Sequence, residues 1–132
     1  MIELYYGGRS HQFEEENIVK PGLHYSVLCN IPSDINEHLP TLKEYTEECE
    51  YITEMGVRYG CSTWAFIEGK PKKLTCIDIN KIGFEISEKY AKHLCADYNI
   101  DFVWITADSL KIELEKTDLL FIDTLHNYSQ LI

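Results

Sequence analysis

Four short segments carry the side chains able to do chemistry. The first is Glu54-Met-Gly-Val-Arg-Tyr-Gly-Cys-Ser62, an E-x-G-x-x-x-G-x-S loop. Gly56 permits a sharp turn, Gly60 lets backbone approach a ligand, and Ser62 can cap a following helix. An ordinary strand-to-helix turn with two glycines accounts for the same pattern. The second is Asp78 in Cys76-Ile-Asp-Ile-Asn80, a carboxylate about 20 residues past a glycine loop, where ribose hydroxyls are held. A helix cap or a solvated acid explains it equally well. The third is Asp108 in Ala107-Asp-Ser109, which can accept from an exocyclic amine. The fourth is Asp123-Thr-Leu-His126-Asn-Tyr128, whose acid and histidine can bind a divalent ion or act as a base. An Asp that caps a helix beside a surface His is the plainer reading.

The elements around these segments decide whether they meet. Short apolar runs over 51–56, 74–79, 101–106 and 118–123 read as strands, the last continuously apolar like a strand buried on both faces. Between them, 62–68 and 86–98 repeat apolar positions at helical spacing, as does 35–50, with Ser33-Asp34 as its cap and Pro40 as a break that splits it. Strands alternating with helices predict an α/β fold with a parallel sheet. In such sheets ligands bind beyond the carboxyl ends of the strands, and each of the four segments follows a predicted strand. The glycine pattern lacks the third glycine of a dinucleotide fingerprint, and Glu54 repels a pyrophosphate but suits a cationic cofactor. That favours S-adenosylmethionine over NAD.

Taken together, the Glu54–Ser62 loop, Asp78 and the Phe121-Ile-Asp-Thr-Leu-His126-Asn-Tyr128 segment resemble class I S-adenosylmethionine-dependent methyltransferases. The FID-x-x-H-x-Y segment is most similar to the small-molecule O-methyltransferase and cephalosporin-hydroxylase-like branch. The resemblance covers 33–132 and implies a Rossmann-like sheet of strand order 3-2-1-4, the N-terminal half of a doubly wound fold. It implies a cofactor site with Glu54 and Ser62 at its loop and Gly56 and Gly60 near the methionine and ribose portions. It further implies Asp78 on the ribose hydroxyls, Ile79 against adenine and Asp108 near the adenine amine. Asp123 corresponds to an acid that helps hold a divalent metal ion in metal-dependent relatives, and Asp123 or His126 would be the base for a small-molecule methyl acceptor. Domains of this kind continue into further strands, so the expectation is the cofactor-binding half of a longer protein.

Composition bounds the alternatives. The 132 residues are 45% hydrophobic, enough for one cored domain, and the net charge of −10 lacks the clustered basic face of a nucleic-acid binder. No apolar stretch approaches the roughly 20 residues of a membrane span, and the first residues do not read as a signal peptide. Five cysteines without a C-x-x-C pair argue for free thiols in a reducing, cytoplasmic setting rather than for zinc. Residues 1–32 are expected as a helical appendage ahead of the partial domain 33–132. The apolar fourth strand would be an exposed edge, which predicts a homo-oligomer covering it. Two other readings stand beside the methyltransferase: a non-catalytic oligomeric module that keeps the fold, and an NAD-binding half-domain.

Overall fold

The computed structural model describes residues 1–108, 113 and 115–123. Its first element corrects an expectation. The N-terminal segment is only partly helical, because β1 (Ile2–Tyr6) and β2 (Arg9–Phe13) form an antiparallel hairpin with Tyr6 opposite Arg9. Ile2, Leu4 and Tyr6 alternate with the exposed Glu3 and Tyr5, which is the period of a half-buried strand. Gly7 and Gly8 both take positive φ, as a tight two-residue hairpin turn requires. Two short helices follow, α1 (Glu15–Ile18) and α2 (Leu23–Cys29).

Ser33 does not cap the following helix as the sequence suggests, since that helix begins later with His38 at its cap position, but it closes the turn ahead of it. Its hydroxyl accepts from the amides of Ile35 and Asn36, and Asn36 Oδ1 accepts from the Ser33 amide in return. A 3-10 turn over Asn36–His38 leads into α3 (Leu39–Glu47). Pro40 does not break this helix but sits in its first turn, where a missing N–H is harmless. The strands β3 (Tyr51–Met55), β4 (Lys73–Asp78), β5 (Asp101–Thr106) and β6 (Leu119–Ile122) then alternate with α4 (Cys61–Glu68) and α5 (Glu85–Asp97). They pair in parallel in the order β5-β4-β3-β6, the expected 3-2-1-4 arrangement. With β3 and β6 as neighbours, two strands far apart in sequence end side by side.

The core lies on one face of this sheet. Register places Ile52, Leu74, Phe102 and Leu119 in one row and Glu54, Cys76, Trp104 and Phe121 in the next. Against them pack Phe66 of α4, edge-on to Phe121, and Phe84, stacked on Trp104. Trp64, Ala65, Phe66 and Ile67 are all fully buried, so the middle of α4 is apolar all round, as a helix covered on both sides must be. Its outer cover is the N-terminal segment, since Leu4, Tyr6, Ile18 and Leu28 belong to the same core cluster. Each such large side chain contributes about 1.5–3 kcal/mol by burial, so residues 1–32 are bound into the fold rather than appended to it. All five cysteines are free thiols, with Cys76 and Cys95 buried. Among the described residues no helix is long and apolar enough to cross a membrane.

His24 joins the hairpin to α4. Its ring lies between Phe13 and Trp64, with centroids 4.9 and 4.7 Å away, and its Nε2 is 2.9 Å from the Tyr6 hydroxyl. Burial holds its pKa down to about 4. A base held neutral in the folded state binds fewer protons there than when unfolded, so stability rises with pH between the folded value and the ordinary 6.5. The contribution is complete above 6.5, is lost as pH falls toward 4, and amounts to about 3 kcal/mol. Urea unfolding of His24→Gln across pH 4–7 should show a flatter acid limb than the unsubstituted protein. An unchanged slope would place its origin elsewhere.

Candidate functional site at the strand ends

The carboxyl ends of β3, β4 and β6 converge on the loop 56–60. Glu54, near the end of β3, has no solvent exposure. Its carboxyl accepts hydrogen bonds from the hydroxyls of Ser62 and, at 2.6 Å, Thr63, both in the first turn of α4, and Cys76 Sγ lies 3.7 Å away. Ser62 therefore does not cap α4, whose cap position is Gly60 without a side-chain bond; its hydroxyl turns down to Glu54 instead. The alternation of β3 explains this, because Glu54 shares a face with Ile52 and points into the helix layer. Burial pushes the Glu54 pKa up to about 7, although the two hydroxyl donors and Cys76 pull it down.

Asp78, at the end of β4, is half-buried and holds the loop. Its Oδ2 accepts from the amides of Val57 and Arg58, both at 2.9 Å, and its Oδ1 accepts from Ile79 N at 2.7 Å. A carboxylate has about four acceptor positions, so three are taken by the chain's own backbone. Gly56 turns at φ +83° with its amide on the Ile77 carbonyl, and Arg58 takes φ +54°. Gly60, at φ +87°, admits no side chain, because a Cβ there would stand 2.6 Å from the Phe84 ring. Phe84 therefore occupies the space on that side of Gly60. Ile79 is 67% exposed just past Asp78.

Asp108 lies one residue beyond Ala107, whose amide bonds the Asp78 carbonyl, and so stands at the same end of the sheet. Asp123 is brought there by β6, its amide donating to the Met55 carbonyl at 2.8 Å, close enough for its charge to help raise the Glu54 pKa. His126, with Ser109 and Tyr128, lies outside the described residues. Beside Asp123 a groove of about 400 Å³ runs between β6 and α3, lined by Asp34, Ile35, His38, Leu42 and Phe121. That volume is within the range of small-molecule sites, which combine an apolar lining with a few polar groups. Among the described residues no three His, Cys, Asp or Glu side chains are grouped to hold a metal ion.

Several participants escape a reading by motif. Thr63 follows Ser62 directly, and two hydroxyls in a helix's first turn behind a strand-end acid are its only signal. Phe84, Asp34 and His38 have none, because only folding brings them to the loop and groove.

This architecture recurs in solved structures. An O-methyltransferase from Bacillus cereus, crystallised in complex with SAH, superposes with a TM-score of 0.53 at 18% identity, over 81% of this chain and 54% of its own length. A protein described as an O-methyltransferase from Klebsiella pneumoniae gives 0.50 at 18% identity, over 81% and 53%. The chain thus spans about half the length of these structures. No family model and no curated protein sequence matches it. The class defined is the Rossmann-like α/β fold of these methyltransferases.

Glu54 makes the site testable by pH. An acid whose folded pKa is raised keeps its proton longer in the native state, so its contribution is greatest below the ordinary 4.5 and is lost as pH climbs through about 7. Glu54→Gln removes the ionisation. Its stability relative to the unsubstituted protein should rise by on the order of 3 kcal/mol between pH 4.5 and 8, read by urea unfolding. A pH-independent difference would mean Glu54 does not titrate there.

Proposed function

We propose that the chain is the cofactor-binding part of an S-adenosylmethionine-dependent methyltransferase acting on a small molecule. The observation that carries this reading is the loop 56–60, tied by Asp78 and seated over a buried acid at the ends of parallel strands, within a fold shared with O-methyltransferases. The residues fit such a cofactor. Asp123 places an acid at the strand end beside the loop, which favours a sulfonium, and the exposed Ile79 offers an apolar surface beside Asp78 for an adenine ring. Asp78 has about one acceptor position left for a ribose hydroxyl, so its larger task is to hold the loop.

When bound, S-adenosylmethionine supplies a methyl group that an acceptor lone pair takes in line while the carbon–sulfur bond breaks, leaving neutral S-adenosylhomocysteine. Positioning provides much of the rate in such transfers. The groove between Asp34, His38 and Asp123 would seat the acceptor, with Leu42 and Phe121 against its apolar part. Asp123 would take the proton of an acceptor hydroxyl, and His126 remains the second candidate base.

The acidic surface and free thiols favour a cytoplasmic protein without nucleic-acid partners. Leu120 and Ile122 are exposed on β6, which pairs only with β3 among the described residues, and they favour a second copy of the chain on that edge.

Calorimetric titration of the chain with S-adenosylmethionine and S-adenosylhomocysteine should give saturable heat, and NADH none. Asp78→Ala, which frees three amides, should weaken binding tenfold or more, whereas Glu14→Ala should not change it. Absence of heat at millimolar nucleoside would overturn the reading.

A further inference from the structure

The loop 56–60 is unusual in its backbone. Gly56, Arg58 and Gly60 all take positive φ, and Arg58 does so with a side chain. For a residue with a side chain such a conformation persists only where the surroundings hold it. Two supports are already clear: Asp78 from below, and α5's entry from the side, where a Cβ on Gly83 would stand 2.8 Å from the Arg58 carbonyl oxygen. The third comes from the other end of the chain. Tyr5, on the outward face of β1, meets Tyr59 with ring centroids 5.1 Å apart.

The hairpin that carries Tyr5 is itself anchored. Leu4 and Tyr6, on either side of it, are buried in the core. The Tyr5 hydroxyl donates to the Gly8 carbonyl at 2.8 Å, closing the turn. Gly7 rests so closely on the Pro32 carbonyl that no side chain would fit between them. A rigid two-stranded element thus presents one half-exposed aromatic ring to the tip of the glycine loop.

We propose that the N-terminal hairpin is a strap that fixes the glycine loop, with Tyr5 as a positioning residue acting through Tyr59. Its consequence for ligand binding rests on the function proposed above, but the ordering of the loop does not. Aromatic pairs of this kind contribute beyond their buried area, enough to change a local opening equilibrium by about three- to tenfold. The strap also gives the hairpin a task that its core burial alone does not explain: Tyr5 could be any polar residue if β1 served only to cover α4.

Amide hydrogen exchange on the whole chain decides the matter. In Tyr5→Ala, the amides of Val57, Arg58 and Gly60 should exchange about three- to tenfold faster, while those of the β3–β4 ladder stay unchanged. Tyr5→Phe keeps the ring and should restore the slow rates. Tyr5→Ala added to Tyr59→Ala should produce no further acceleration, because the two rings act as one contact. Unchanged loop amides in Tyr5→Ala, or acceleration spread evenly over the sheet, overturns the strap. In parallel, Tyr5→Ala should bind S-adenosylhomocysteine about fivefold more weakly. An unsubstituted chain that does not bind the nucleoside removes the proposed function, and the exchange rates still decide the strap.

Discussion

A carboxyl group with no exposure, in the central strand of the sheet, constrains everything around it. Burying Glu54 is tolerable only if its oxygens are satisfied within the protein, since an isolated buried carboxylate is far too costly. Ser62 and Thr63 meet that need, and they can do so only if the first turn of α4 sits directly over the end of β3. The chain must then leave β3, reverse and enter the helix within a few residues. Left-handed backbone at Gly56, Arg58 and Gly60 is how it does so, and the Asp78 clamp and the packing of Phe84 follow from that tight path.

The same constraint accounts for the N-terminal segment. Pulling α4 down onto the sheet leaves its outer side, where Trp64 stands, to be covered by something else. Tyr6, His24 and Leu28 cover it, and His24 is kept neutral by doing so. The segment then continues through Ser33 to Asp34 and His38, which line the groove beside Asp123. One stretch of chain therefore closes the core, reaches the glycine loop and forms a wall of the groove. Its His24 and the sheet's Glu54 respond to pH in opposite directions, because a buried base and a buried acid each resist their charged form.

Much of the fold is legible in the sequence. The four parallel strands and the helices between them follow from apolar runs and helical spacing, and β5 is read to the residue. The hairpin was legible too, in the alternation Ile2, Leu4, Tyr6 and the Gly7-Gly8 pair, but the polar second strand Arg9–Phe13 hides it. Pro40 misleads in the other direction: it reads as a break, yet a helix that begins at Leu39 accommodates it in the first turn. At the site, the placement of Glu54, Asp78, Asp108 and Asp123 at one end of the sheet follows from their positions after strands. What each side chain bonds to does not. Glu54 reads as facing a ligand until register puts it on the helix side of β3, and Asp78 reads as open until the loop's own amides fill it.

Local pattern thus determined which segments become strands and helices and which residues stand at strand ends, because periodicity and turn chemistry act over a few neighbours. Tertiary structure alone decided that an acid at one strand end is buried under two hydroxyls, that another holds a loop, and that Tyr5 meets Tyr59 across the length of the first fifty residues. Those contacts join residues on different elements, and only the packing of the sheet, α4 and the hairpin brings their atoms within reach.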